Sequence, residues 1–202
     1  MENICIFAAS SAALEEKYIH AAYMLGRLFA EKGFGLVFGG GRTGLMGACA
    51  RGVKEAGGRA IGVIPERLNV PGIPYEGCDE LIVTRDMHER KARMESMSMG
   101  YVALPGGFGT LEELMEVLTL NQLGYLKAPV VILNQDGFYQ QLIAQLNTFV
   151  KRGFTNQAYL GLFTVAQTPE EAVEQLTRFR LPDLPDKIKE AVKNHGKRKT
   201  DQ

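Results

Sequence analysis

Residues 101–118, YVALPGGFGTLEELMEVL, join a β-rich apolar run, a glycine-rich turn and an amphipathic helix. The run YVALP (101–105) is continuously apolar, which is typical of a strand covered on both faces of a parallel sheet. After the turn, a helix with one apolar face is indicated by the i, i+3, i+4, i+7 spacing of Leu111, Leu114, Met115 and Leu118. A strand followed by a helix in this way is half of a βαβ unit, and it predicts an α/β fold.

The same alternation extends in both directions along the chain. Short apolar runs that we predict as strands lie at 4–9, 35–39, 60–64, 80–84, 101–105 and 130–134. Helical patterns lie at 12–32, 43–57, 87–98, 109–123, 136–151 and 169–179. The last helix has an N-cap, a first-turn proline and a capping-box acid in Thr168, Pro169 and Glu171. This order predicts a Rossmann-like, doubly wound, mostly parallel sheet with helices on both faces.

Composition and charge exclude several classes of protein. Lys plus Arg equals Asp plus Glu at 23 each, so no nucleic-acid or acidic-membrane partner is indicated. No apolar run approaches the ~20 residues of a membrane span, and no signal peptide is evident. The cysteines at 5, 49 and 78 suggest neither disulfides nor a zinc site, and we expect them to be buried in a cytoplasmic protein.

We expect a single domain over 1–182, followed by a polar, partly disordered tail over 183–202. Within the domain, residues 66–79 hold two prolines and two glycines. They are predicted to form a long surface loop near the ligand site.

The glycine turn before the 109–123 helix predicts an anion site. Gly106, Gly107 and Gly109 would leave the first-turn N–H groups open to a ligand, and the helix dipole favours negative charge there. An alternative is structural, because Thr110 and Glu113 also fit the N-cap and N3 positions of a capping box. The glycines favour the ligand interpretation, since a cap requires none of the three.

A second glycine turn, FGGGRTGLMG (38–47), matches the G-x-G-x-x-G fingerprint of dinucleotide-binding proteins from Gly39 to Gly44. The acid Glu66 lies about 20 residues further on, as in that fingerprint. A nicotinamide-dependent dehydrogenase is therefore a rival hypothesis. Against it, the motif follows the second strand rather than the first, and the chain leaves no room for a separate substrate domain.

An arginine interrupts the apolar stripe of the 87–98 helix. Met87, Met94 and Met97 share one side of that helix with Arg90, whereas His88 points away and is expected at the surface. An arginine stays protonated in proteins, so facing inward it must meet an anion, either Glu113 or a ligand phosphate. The alternative is a partly exposed stripe from which the guanidinium reaches water.

Four motifs together resemble the Lonely Guy family of cytokinin riboside 5′-monophosphate phosphoribohydrolases, which are often labelled lysine decarboxylases. The motifs are PGGFGTLEE (105–113), MHERK (87–91), GGGRTGLMG (39–47) and GVIP (62–65), and the match covers about residues 3–155. The resemblance implies a homodimer that hydrolyses the N-glycosidic bond of adenine-type nucleoside 5′-monophosphates, without a metal or an organic cofactor. No lysine is marked for a pyridoxal Schiff base, so the decarboxylase label does not fit the sequence.

The resemblance also implies the site residues. Arg90 and Glu113 correspond to the catalytic pair of the family. The residues expected to bind substrate and its phosphate are Lys91, Gly106, Gly107, Phe108, Gly109, Thr110, Leu111, Glu112, Ser10, Gly40 and Gly41. No metal ligands are expected.

Three departures from the family pattern leave the preferred base open, adenine or N6-prenylated adenine. Ala8 and Ala9 precede Ser10 where most members have Cys-Gly, Gly72 replaces a glutamate, and Leu120 replaces a tryptophan. The alternative comes from another functional class: a protein of the same fold that binds or carries a nucleotide and does not turn it over.

Overall fold

Strands and helices alternate along the computed structural model, which describes residues 2–180, 182 and 184–185. The strands are β1 (Asn3–Phe7), β2 (Gly35–Phe38), β3 (Ala60–Pro65), β4 (Glu80–Thr84), β5 (Gly100–Ala103), β6 (Val130–Leu133) and β7 (Thr164–Ala166). They form one sheet in the order β4-β3-β2-β1-β5-β6-β7, and every neighbouring pair is parallel. The predicted doubly wound α/β class is confirmed.

The helices cover both faces of this sheet. They are α1 (Glu16–Glu31), α2 (Gly44–Glu55), α3 (Met87–Ser96), α4 (Phe108–Leu123), α5 (Gln140–Lys151) and α6 (Pro169–Arg178). Shorter 3₁₀ turns lie at Glu66–Leu68, Gln135–Gly137 and Gln157–Leu162. One core cluster joins the sheet to α1, α2 and α6, and a second joins it to α3, α4 and α5.

The strand order reverses between β1 and β5. Strand β1 pairs with β2 on one side and with β5 on the other, so successive crossovers leave this point in opposite directions. In doubly wound sheets a ligand crevice opens at such a point, beyond the carboxyl ends of the strands. The topology therefore places the loops after β1 and β5 beside one another.

Apart from shifts of one or two residues at element ends, the predicted elements differ from the structure in three places. Strand β7 has three residues and was missed, because so short a run carries no periodicity. Helix α1 begins at Glu16 rather than at 12, and the Ala13 N–H instead donates to Ser11 Oγ in a local turn. Helix α5 begins at Gln140 rather than at 136, because Asp136 and Gly137 adopt positive φ values of 53° and 73°.

The predicted start of α6 is confirmed. The Thr168 hydroxyl accepts a hydrogen bond of 3.3 Å from the Glu171 N–H. The Glu171 carboxylate in turn accepts one of 2.7 Å from the Gln167 N–H. The first bond satisfies a donor that the first helical turn leaves without a partner, and the second joins Glu171 to the residue before the N-cap.

The remaining predictions concern cysteines, membranes and the tail. Cys5 and Cys49 are buried, whereas Cys78 is half-buried, contrary to expectation, because it lies in the 66–79 loop at the protein surface. Among the described residues, none of the helices has the length and apolar character needed to span a membrane. Leu184 packs against the core, but most of the predicted tail lies outside the described residues. The domain boundary at 182 stays a prediction.

Candidate active site

A cavity of about 730 Å³ opens at the reversal point between β1 and β5. Its walls come from the loops after β1, β2 and β5, from the start of α3 and from the 66–79 loop. The predicted site residues that line it are Ser10, Gly41, Arg90, Gly107, Phe108, Gly109, Thr110, Glu112 and Glu113. Four others do not appear in its wall, namely Gly40, Lys91, Gly106 and Leu111.

A buried ion pair joins α3 to α4 at the base of the cavity. Arg90 Nη1 donates to Glu113 Oε1 at 2.8 Å, and the two side chains are only 8% and 10% exposed. Arg90 Nε also donates to the Val63 carbonyl at the end of β3, at 3.0 Å. Arg90 therefore faces inward, and the alternative of a guanidinium reaching water is wrong. Met94 is buried beside it, and His88 is exposed as predicted.

Burial dominates the electrostatics of Glu113. Desolvation raises its pKa above the ordinary glutamate value, and the charge and hydrogen bond of Arg90 oppose this rise. A carboxyl group that combines desolvation with one specific charged partner, at the base of a cavity, has the environment of a catalytic group.

Gly39 makes room for the guanidinium of Arg90. A Cβ atom at this position would lie 2.0 Å from Arg90 Nη2. Gly44, at the other end of the fingerprint-like motif, has φ of +63°, and a Cβ there would lie 2.4 Å from the Ala9 carbonyl oxygen. The internal packing of the chain therefore accounts for these two glycines without a dinucleotide, whereas a Cβ at Gly41, which lines the cavity, would make only an ordinary contact of 3.6 Å with Met46.

The capping-box interpretation of Thr110 and Glu113 is wrong. Helix α4 begins at Phe108 with Gly107 as its N-cap, so Thr110 already lies inside the first turn. Its buried side chain packs against Gly106, where a Cβ would lie 2.1 Å from Thr110 Oγ1. Glu113 falls in the second turn and turns toward Arg90 rather than back to the helix start.

Gly107 and Gly109 are glycines that the chain itself does not require. A Cβ atom at either position would meet nothing within 4 Å, and neither residue has a positive φ. The N–H groups of the first turn, from Phe108 to Thr110, have no carbonyl four residues earlier in the helix to accept from them. Open space beside free N–H groups suits an anion that approaches the backbone closely.

Lys91 has a different environment from its neighbour Arg90. Its ammonium group pairs with Glu112 and also with Glu116, the latter at 2.9 Å, and the side chain is mostly buried between α3 and α4. It thus connects two helices behind the cavity wall.

Sequence reasoning missed the apolar part of the cavity. This part comprises Met46, Ile64, Leu68, Ile73 and Met87. Leu68, Ile73 and Met87 are large side chains that stay substantially exposed, and Phe108 at the rim is 94% exposed. The predicted position of the 66–79 loop beside the site is confirmed, but its sequence has no periodicity that could mark single residues as lining.

The fold and the site together define a Rossmann-like α/β protein with a buried Arg–Glu pair beside an open helix N-terminus. A family model described as "Possible lysine decarboxylase" matches residues 46–176. The cytokinin riboside 5′-monophosphate phosphoribohydrolase LOG5 of Arabidopsis thaliana is 40% identical over 179 residues, 89% of this chain and 78% of the relative. LOG7 of the same plant is 39% identical over 178 residues, 88% of this chain and 82% of the relative. The chain belongs to the Lonely Guy family of phosphoribohydrolases.

Solved structures extend the likeness beyond that family. The molybdenum cofactor carrier protein of Chlamydomonas reinhardtii is 26% identical, with a TM-score of 0.66 over 88% of this chain and 96% of that one. The molybdenum cofactor binding protein of Rippkaea orientalis is 27% identical, with a TM-score of 0.65 over 87% and 93%. The same architecture therefore occurs in proteins that bind or carry a cofactor.

The cavity does not suit the decarboxylase description. Pyridoxal-dependent decarboxylation requires a lysine that forms a Schiff base with the cofactor. Among the described residues that line the cavity there is no lysine, and the ammonium group of Lys91 is paired with Glu112 and Glu116.

Proposed function

We propose that this protein hydrolyses the N-glycosidic bond of adenine-type nucleoside 5′-monophosphates, releasing the free base and ribose 5-phosphate. The observation that carries the proposal is the arrangement on α4. An open, glycine-lined N-terminus lies one turn before a buried carboxylate, with Thr110 and Glu113 separated by about 4.5 Å along the helix axis. Relatives at 39–40% identity carry this activity in their names.

Each end of this arrangement suits one part of a nucleotide. The phosphate binds the N–H groups of Phe108 to Thr110, where the helix dipole favours an anion. Glycosidic cleavage builds positive charge on the sugar, and Glu113 stabilises that charge and orients or deprotonates the attacking water. The carboxylate faces the ribose rather than the phosphate, so the two negative groups stay apart.

Arg90 acts as a fixed counter-charge in this scheme. An arginine stays protonated in proteins, so it keeps Glu113 ionised and does not donate a proton to the leaving base. Its second hydrogen bond, to the Val63 carbonyl, holds the guanidinium in place as the substrate enters.

The test is to incubate the purified protein with each nucleotide and to follow the release of free base by chromatography. AMP and isopentenyl-AMP should both yield free base, whereas adenosine and ATP should be poor substrates, because the single helix N-terminus fits one phosphate. The ratio of the first two rates reports which base the cavity prefers, and Ala8, Ala9 and Gly72, at which the chain departs from the family pattern, all line that cavity. Equal hydrolysis of AMP and adenosine would contradict the phosphate site.

A carrier function is the second candidate, because the molybdenum cofactor carriers share the fold at 26–27% identity. A carrier would bind a nucleotide without releasing base. Calorimetric binding of AMP together with no detectable adenine would favour the carrier over the hydrolase.

We also propose that the enzyme works in the cytoplasm as a homodimer and without a metal ion. The free cysteines at 5, 49 and 78 support a reducing compartment. Apolar side chains left exposed on and after α4, including Leu123 and Tyr125, support a second copy as partner. Light scattering tests the dimer, and full activity after EDTA treatment tests the metal-free reaction.

A further inference from the structure

The hydroxyl of Tyr139 lies directly behind the glycine turn. Tyr139 precedes α5 and is 3% exposed, and its hydroxyl donates to the Leu104 carbonyl at 2.6 Å. Burial raises the pKa of this tyrosine, and the Gly106 N–H, which faces the same oxygen, opposes the rise. One hydroxyl group thus contacts the backbone on both sides of Pro105.

Tyr139 is itself held in a fixed place by the sheet. Its N–H donates to Asn134 Oδ1 at 2.7 Å, and the Asn134 N–H donates to the Ala166 carbonyl at 2.7 Å. Asn134 is also buried, and the chain reverses between the two residues through Asp136 and Gly137. The phenolic oxygen is therefore fixed relative to β6 and β7.

The glycine turn has a second fixed contact on its opposite side. The Ala9 N–H, from the loop after β1, donates to the Pro105 carbonyl at 3.2 Å. Pro105 has no N–H, so the turn depends on neighbouring elements for its orientation. Gly107, two residues further on, is the N-cap of α4.

We propose that Tyr139 is a positioning residue for phosphate binding: its hydroxyl holds the backbone of Leu104–Gly106 so that the N–H groups of Phe108 to Thr110 meet the 5′-phosphate. This role rests on the proposed hydrolase function. Tyr139 does not appear in the cavity wall, so it acts through the turn and not on the substrate.

Tyr139→Phe tests this role, because it removes one oxygen and keeps the ring. We expect KM for AMP to rise about tenfold, the scale of one lost hydrogen bond at a charged-ligand site, with little change in kcat. Inhibition by ribose 5-phosphate should weaken by the same factor. The low rate with adenosine, which has no phosphate, should stay unchanged.

Tyr101→Phe is the matched control. Tyr101 is equally buried, and its hydroxyl donates to the Glu95 carbonyl at 3.3 Å, away from the glycine turn. Unchanged KM for AMP in Tyr139→Phe, equal losses with AMP and adenosine, or an unfolded variant would each overturn the proposal. If the wild-type protein releases no base, the proposed hydrolase function fails. AMP binding measured by calorimetry then still decides whether Tyr139→Phe weakens the phosphate site.

Discussion

Arg90 is held by three separate features at the residue scale. Glu113 supplies the opposite charge, the Val63 carbonyl accepts from Nε, and Gly39 leaves the space that the guanidinium fills. Losing any one of these features would alter the position or the charge of the pair. Substitutions at Glu113 and Gly39 can separate two of these contributions, whereas the third is a main-chain contact that a change of the Val63 side chain does not remove.

Glu113→Gln should reduce base release from AMP by roughly a hundredfold or more, because in the proposed mechanism the carboxylate stabilises charge on the sugar. The amide oxygen can still accept from Arg90, so the variant should fold, with a lower melting temperature because the buried guanidinium has lost its counter-charge. Turnover and thermal melts are the measurements. Glu116→Gln, one turn along the same helix and outside the cavity wall, should keep near wild-type turnover. Wild-type turnover in folded Glu113→Gln would reduce the pair to a structural role.

Arg90→Ala should impair activity more than Lys91→Ala and should shift the pH–rate profile. Burial raises the pKa of Glu113 and Arg90 opposes that rise, so removing Arg90 should raise the pKa further. Since the proposed mechanism requires the ionised carboxylate, the acid limb of the profile should move to higher pH. The charge of Lys91 lowers the pKa of Glu113 less than the charge of Arg90 does, so its removal should move the limb less. Wild-type profiles in both variants, or inactivity of Lys91→Ala alone, would contradict this model.

At the element scale, the N-terminus of α4 can be tested by adding single methyl groups. Gly107→Ala and Gly109→Ala should fold like the wild-type protein, because a Cβ at either position meets nothing within 4 Å. Each should raise KM for AMP, by roughly tenfold, because the methyl group occupies the space through which a phosphate approaches the N–H groups. Thr119→Ala, on the exposed face of the same helix, is the control. Unchanged KM in both glycine variants would place the phosphate elsewhere.

The contact between α3 and α4 should give the protein a pH-dependent stability. Glu95 is half-buried near Glu116 and Lys91, and burial, followed by the charge of Glu116, raises its pKa to about 7. A raised pKa means that Glu95 binds a proton more tightly in the folded state than in the unfolded state. The stability contributed by this protonation is therefore fully present below the ordinary glutamate pKa and is lost as pH rises through 7. Glu95→Gln should therefore melt at a higher temperature than wild type at about pH 8 and at a similar temperature at about pH 5. Exposed Glu66→Gln is the control, and a Glu95→Gln effect that is equal at both pH values would contradict the assignment.

The elements that sequence predicts well are those with long periodic patterns. Six helices have such patterns, six strands are marked instead by short continuous apolar runs, and the inward direction of Arg90 follows from its place on the methionine stripe. The sequence could not show which residue caps α4, because Thr110 and Glu113 satisfy a local capping rule, whereas in the structure Gly107 is the N-cap and Glu113 pairs with Arg90. Nor could it show that Gly39 packs against the Arg90 guanidinium or that the Tyr139 hydroxyl donates to the Leu104 carbonyl. These contacts join elements that only the strand order brings together.

At the scale of the whole molecule, the strand order assembles the site. The Arg90–Glu113 pair is contributed by helices that follow β4, at one edge of the sheet, and β5, on the far side of β1. Arg90 extends across the ends of β3 and β2 to Glu113. Its Nε donates to the Val63 carbonyl, and its guanidinium occupies the space beside Gly39. A ligand bound here touches loops from several strands at once, so binding should stabilise the entire domain.

Ribose 5-phosphate, the proposed product, should therefore raise the melting temperature. A ligand that binds only the folded state at 100 times its Kd stabilises it by about 2.7 kcal/mol. For a domain of this size each kcal/mol shifts Tm by about 2–4 °C, so a rise of several degrees is expected. Ribose without phosphate should give little shift, because the N–H groups of α4 supply the anion contact. Gly107→Ala should reduce the shift given by ribose 5-phosphate without changing the melting temperature of the free protein. Equal shifts from ribose and ribose 5-phosphate would show that the sugar, and not the phosphate at the helix N-terminus, provides the binding energy.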